Sequence, residues 1–216
     1  MISVDVSSKM LEYAKKNYPH ELIEYHVGDI LGEFPFPNSV FDKLFAVHVF
    51  HFIRDLRQAL SGFHKILKPG GQMSFTTLTA NSWIFRSLKE LSESEAWHPY
   101  MKDYPKYFPE LLDFSNKEDV RQRVLDLLEA SEFHVVHLEV MLDTSYEFED
   151  IETFLEIICS CNPCIDNIPK KLYQLFKYDV KKLITSYAGI PVDSKGIDFR
   201  HDYIWGIVER TENLLK

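Results

Sequence analysis

Ile2-Ser3-Val4-Asp5-Val6-Ser7-Ser8-Lys9-Met10-Leu11-Glu12-Tyr13-Ala14 is the stretch on which the fold turns. An apolar, β-branched run ends on the acid Asp5, and a serine then opens a helical pattern with Met10, Leu11 and Ala14 on one face. This spacing predicts a strand-to-helix crossover. In a doubly wound sheet, an acid at the carboxyl end of the second strand accepts hydrogen bonds from the ribose hydroxyls of a bound nucleoside, and Asp5 fits that role. Such an acid normally follows a glycine-rich turn by about 20 residues. No such turn precedes Asp5 in this chain, so the sequence is expected to begin part-way through its fold.

The same grammar repeats downstream. Leu22-Ile23-Glu24-Tyr25-His26-Val27 reads as a second strand running into Gly28-Asp29-Ile30. Asp29 either accepts from the exocyclic amine of an adenine, with Ile30 on the ring face, or simply opens a turn, and the spacing leaves both readings open. Phe41 to Val47 is apolar enough to predict a central strand in a sheet buried on both faces. His48-Val49-Phe50-His51-Phe52-Ile53 lies just beyond its carboxyl end, where open α/β sheets bind ligands. A histidine among apolar residues is more often a satisfied core group, which is the expectation for His48.

Leu56, Leu60, Phe63, Ile66 and Leu67 mark a helix that Lys68-Pro69-Gly70-Gly71 stops, and Met73 to Leu78 reads as the next strand. The pattern from Trp83 to Glu95, with Trp97, Tyr100, Tyr104, Tyr107 and Phe108 after it, breaks the βα alternation and reads as an inserted cap. Lys117 to Ala130 is an amphipathic helix and Phe133 to Met141 a strand. Ile151 to Cys159 and Lys170 to Tyr187 read as helices, and Asp202 to Val208 as a last strand. We expect one domain over residues 1–216, with 82–116 and 148–190 as helical cap segments.

Composition excludes several classes of function. The 216 residues carry a net charge of −9, which argues against binding to phosphate backbones. No apolar run reaches the 18 residues that a membrane helix needs, and the first residues lack the basic-then-apolar order of a signal peptide, so a cytoplasmic location is the default. Cys159, Cys161 and Cys164 lack a fourth ligand at zinc spacing and are read as free thiols, with no metal expected.

Taken in order, Val4-Asp5-Val6-Ser7 with Met10, Gly28-Asp29, Phe41-Asp42, Phe50-His51-Phe52-Ile53 and Leu67-Lys68-Pro69-Gly70-Gly71 resemble class I S-adenosylmethionine-dependent methyltransferases. Glu95-Ala96-Trp97-His98, Asn162-Pro163 with Ile168-Pro169, and the segment around Tyr203 resemble the juvenile hormone acid methyltransferases of arthropods. The resemblance implies a Rossmann-like α/β fold with a doubly wound, mostly parallel sheet of order 3-2-1-4-5-7-6 and a helical cap. This chain has no counterpart of that fold's first strand, first helix and glycine-rich loop. It implies S-adenosyl-L-methionine as cofactor, with Asp5 and Val6 at the ribose, Asp29 and Ile30 at the adenine and Val47 near the methionine part. It further implies that His51, Phe52 and Trp97 face the substrate, a small apolar carboxylic acid, isoprenoid or fatty, with His51 its hydrogen-bond donor. Phe52 stands where the family often has tryptophan.

Methyl transfer to a carboxylate needs no general base, since a carboxyl of pKa about 4 is already ionised at neutral pH. The absence of an acid–base pair therefore fits an enzyme whose work is positioning. Without the glycine-rich loop the chain is expected to bind cofactor poorly and to be impaired as a catalyst. The competing expectation is a non-catalytic protein of the same fold that binds an apolar ligand or a partner. For the sheet, the missing central strand leaves two expected outcomes: the first two strands stand apart from the rest, or Ile2 to Asp5 pairs directly with Phe41 to Val47.

Overall fold

The computed structural model describes residues 1–32, 34–107 and 117–211, with side chains from residue 119 in the last stretch. Its elements alternate as the sequence grammar demands. Strand β1 (Ile2–Asp5) passes into helix α1 (Ser8–Asn17), whose first turn is capped by Ser7 Oγ accepting from the Met10 amide at 3.3 Å. This satisfies one of the amides that a helix start leaves without a partner. Strand β2 (Glu24–Val27) returns parallel to β1, with Ile2 opposite Glu24 and Asp5 opposite Val27. It starts two residues later than Leu22, and Leu22 itself is exposed.

Strand β3 (Phe41–Val47) leads through a 3-10 turn at Phe50–Phe52 into helix α2 (Leu56–Ile66), and strand β4 (Leu67–Leu78) follows at once. Helix α2 ends at Ile66, just before the Lys68–Gly71 stop read from sequence, while β4 begins earlier than the Met73 expected and carries Lys68–Gly71 as an irregularity, where the register jumps from Phe41–Leu67 to Lys43–Gln72. Gly70 takes φ +73°, a left-handed value that favours glycine there. Helices α3 (Trp83–Glu93), α4 (His98–Met101) and α5 (Lys117–Glu129) precede strand β5 (Phe133–Phe148). Helices α6 (Ile151–Ser160) and α7 (Tyr173–Ala188) then lead to strand β6 (Ile197–Arg210). β5 and β6 run well past the spans read from sequence, because Thr144 to Phe148 pairs with Ile197 to His201 beyond a bulge at Met141/Thr144. Phe108 and the rest of the expected cap segment up to residue 116 lie outside the described residues.

Among the described residues the strands form two sheets: β1–β2, and β3–β4–β6–β5. β3 and β4 are parallel, and β6 is antiparallel to both of its neighbours. The molecule is an α/β fold of the Rossmann-like kind with a mixed second sheet, and of the two outcomes expected for the opening strands the first is the one found: β1 makes no ladder with β3. Two clusters form the core. Phe50, Leu60, Phe75, Leu128 and Ile204 pack the sheet against α2 and α5, while Leu88, Met101, Phe154, Phe176 and Ile184 join α3, α4, α6 and α7. Gly206 lets β6 approach: a Cβ there would sit 2.6 Å from the Phe75 ring.

The expectation of a β3 buried on both faces is corrected by its surroundings. β3 pairs only with β4 among the described residues, and Phe45 is 73% and Val47 58% exposed. An apolar strand with a free edge is a template for association. Phe45→Lys is therefore expected to reduce concentration-dependent self-association, read by sedimentation velocity, while shifting stability by no more than about 0.5 kcal/mol. Association unchanged in the variant would remove this edge as its cause.

Candidate functional site

The parallel pairing of β1 and β2 brings two acids to one end of two neighbouring strands. Asp5 closes β1, and its Oδ1 accepts from the Ser7 amide at 2.7 Å, which fixes the carboxylate in a turn. Gly28 continues the ladder by donating to the Asp5 carbonyl at 3.1 Å, and Asp29 follows with its Oδ1 accepting from the Leu31 amide at 2.9 Å. In each acid the second carboxylate oxygen has no hydrogen-bond partner among the described residues. Val6 is 67% exposed beside Asp5, and Ile30 is half-buried against α2, where a Cβ on Gly62 would come within 3.0 Å of it.

The second group of candidates stands at the carboxyl end of β3. Val47 pairs with Thr76, and the next amide, that of His48, donates to the Thr76 carbonyl at 2.9 Å and to Thr76 Oγ1 at 3.1 Å. His48 turns the chain with φ +54°, a left-handed conformation unusual for a residue other than glycine. The sequence expectation of a satisfied core histidine is corrected here: His48 is exposed, because the turn points it out of the sheet and towards the rings of His51 and Tyr203, 6.0 and 5.8 Å away.

His51 is the buried one, only 3% exposed in the 3-10 turn. The parallel register places it over the end of β4, so that its Nδ1 lies 3.0 Å from Thr77 Oγ1 and accepts from the Leu78 amide at 3.2 Å. The Phe52 ring stands edge-on at 4.4 Å and the Phe85 ring at 5.3 Å. Burial, with the neighbouring His48 adding to it, drives the His51 pKa down to about 3, so the ring is neutral at physiological pH. Its Nε2 has no hydrogen-bond partner among the described residues. Phe52 is half exposed at the mouth of this box.

Trp97 is not gathered here. It is 2% exposed in the helical cluster, its Nε1 donates to Asp179 Oδ2 at 2.9 Å, and its ring meets Phe176 at 5.1 Å. The structure thus brings together Asp5, Val6, Asp29 and Ile30 around β1–β2, and Val47, His51 and Phe52 at the end of β3, with Trp97 in neither group. Sequence reasoning missed Thr77, Leu78 and Phe85 as neighbours of His51. Thr77 and Leu78 were legible only as the end of a strand, and their facing His51 follows from the β3–β4 register.

A family model described as a methyltransferase domain matches residues 1–75, the span that holds Asp5, Asp29, Val47, His51 and Phe52. The juvenile hormone acid O-methyltransferase of Bombyx mori is 25% identical over 181 residues, 83% of this chain and 62% of its own length. The malonyl-[acyl-carrier protein] O-methyltransferase of Erwinia pyrifoliae is 34% identical over 103 residues, 48% of this chain and 36% of its own. The solved YcgJ protein of Bacillus subtilis superposes with a TM-score of 0.60 at 13% identity, covering 98% of this chain and 82% of that one. Residues 1–75 thus match a methyltransferase domain, and the chain shares its overall fold with the solved YcgJ protein.

The chain spans 62% of the length of its Bombyx relative. No helix among the described residues is long and apolar enough to cross a membrane. Cys159 and Cys164 are buried thiols, and desolvation pushes the Cys159 pKa up to about 11, which leaves it a poor nucleophile at neutral pH.

Proposed function

We propose that this chain takes part in transferring a methyl group from S-adenosylmethionine to a carboxylate oxygen of a small apolar acid, isoprenoid or fatty. The observation that carries the reading is His51, a neutral donor shut among aromatic rings with its Nε2 unpartnered among the described residues. A carboxylate arriving ionised offers this donor an acceptor and asks no residue to remove a proton. The relatives' names point the same way, since one acts on juvenile hormone acid and another on a malonyl group.

The two acids on β1–β2 fit the nucleoside end of the cofactor. Each is held by one oxygen in its own turn and keeps the other for a ligand, Asp5 for ribose hydroxyls and Asp29 for an adenine amine. When bound, S-adenosylmethionine supplies a methyl group on a sulfonium. His51 would then hold the substrate carboxylate, Phe52 and Phe85 would keep water from it, and Val47 would border the methionine part.

His51→Ala is expected to lower kcat/KM on apolar acids by about 10- to 150-fold, the loss of one hydrogen bond to a charged group, about 1.5–3 kcal/mol. Unchanged kcat/KM on every accepted acid would refute the role given to His51.

A second reading, a ligand- or partner-binding protein on the same fold, draws on the edges of β1 and β3 that pair with no strand among the described residues. Titration calorimetry separates the two: no heat with S-adenosylmethionine from a chain that circular dichroism finds folded would favour binding over catalysis.

A further inference from the structure

Nδ1 of a neutral imidazole has a single lone pair in the ring plane, and a ring nitrogen that accepts a hydrogen bond cannot carry the proton. At His51 that lone pair faces the Leu78 amide, a backbone donor that cannot rotate away or reverse its polarity. The neighbouring hydroxyl of Thr77 is adaptable, because it lies 3.0 Å from Nδ1 and also donates to the Leu78 carbonyl at 3.2 Å. The hydroxyl is compatible with either tautomer, whereas the amide is compatible with one. The rings of Phe52 at 4.4 Å and Phe85 at 5.3 Å crowd the imidazole and oppose its rotation.

We propose that the Leu78 amide, set against Nδ1 by the β3–β4 register, fixes His51 as an Nε2–H donor and denies it the role of base, so that the site takes acceptors that arrive ionised and turns away alcohols and amines. This rests on the reading of His51 as the substrate's partner. An alcohol or amine would need a base at the position where His51 presents N–H, and the ring's other nitrogen is already engaged by the backbone. Leu78 is thereby a positioning residue through its main chain, and its side chain has no part in the device.

The test is nuclear magnetic resonance on the whole chain labelled with ¹⁵N, with His51 assigned by the signals missing from His51→Gln. The expected result is an Nε2-protonated ring at pH 7 with scalar coupling across the hydrogen bond between the Leu78 amide nitrogen and Nδ1. An Nδ1-protonated ring overturns the proposal. Thr77→Val removes the hydroxyl and keeps the amide, so the tautomer should persist; a switch of tautomer in that variant would give the role to the hydroxyl and overturn the assignment to Leu78. Dodecanoate and dodecan-1-ol then probe the consequence, the acid binding about tenfold more tightly by the difference between charged and neutral hydrogen bonds. The alcohol binding as tightly as the acid overturns the claimed selectivity. The expected tautomer with coupling, but neither compound moving the His51 signals, upholds the lock and overturns the substrate reading, so the two failures are told apart.

Discussion

Lowering the pH from 7 to 4 is expected to destabilise the fold by about 3 kcal/mol through His51 alone. Burial holds its imidazole at about 3, below the 6.5 of the unfolded chain, so that between these values the unfolded chain takes up a proton that the folded chain refuses. The contribution is fully present above pH 6.5, shrinks by about 1.4 kcal/mol for each unit below it, and levels off near pH 3, where the folded state also protonates. Burial lowers His48, His64 and His201 as well, so their effects have the same sign. Denaturant titrations at pH 7 and pH 4 measure the difference, and His51→Gln, which cannot protonate, should remove the His51 share. Equal midpoints for the natural chain at the two pH values would show that His51 is not held neutral by burial.

The parts of the site that were legible in sequence are those fixed by neighbours along the chain. Asp5 closes β1 and Asp29 follows the end of β2, and both are held by amides two residues on, an arrangement local enough to be read from spacing. His51 was legible as a residue just past a strand end, though its hydrogen-bonding neighbours, Thr77 and Leu78, lie 26 and 27 residues away. What failed was burial. Phe41 to Val47 has the composition of a central strand, and composition carries no information about whether a neighbour pairs on each side, so the exposure of Phe45 and Val47 had no signal in the strand itself. The lengths of β5 and β6 failed for a related reason: Asp143 and Thr144 break the apolar alternation, and only the partner strand, across a bulge, shows that pairing resumes.

Trp97→Ala is expected to cost about 3–5 kcal/mol of stability, the range for removing a large buried aromatic. Trp97 belongs to a cluster that joins α3, α4, α6 and α7, so the cavity would open between elements held mainly by these contacts. The substitution also strips Asp179 Oδ2 of its donor, leaving that mostly buried carboxylate with Lys182 at 2.6 Å on its other oxygen. Trp97→Phe refills most of the volume and loses only the N–H, so it should fall between the natural chain and the alanine variant. Asp179→Asn keeps an oxygen that can accept from the indole and should be milder than Trp97→Ala. The substrate-facing role implied by family resemblance predicts a different pattern, in which the alanine variant keeps its denaturation midpoint and loses affinity for apolar acids. Denaturant midpoints for the three variants, set beside acid-binding isotherms, decide between a tryptophan that holds the helical layer together and one that lines the pocket. The buried indole and its carboxylate partner favour the first.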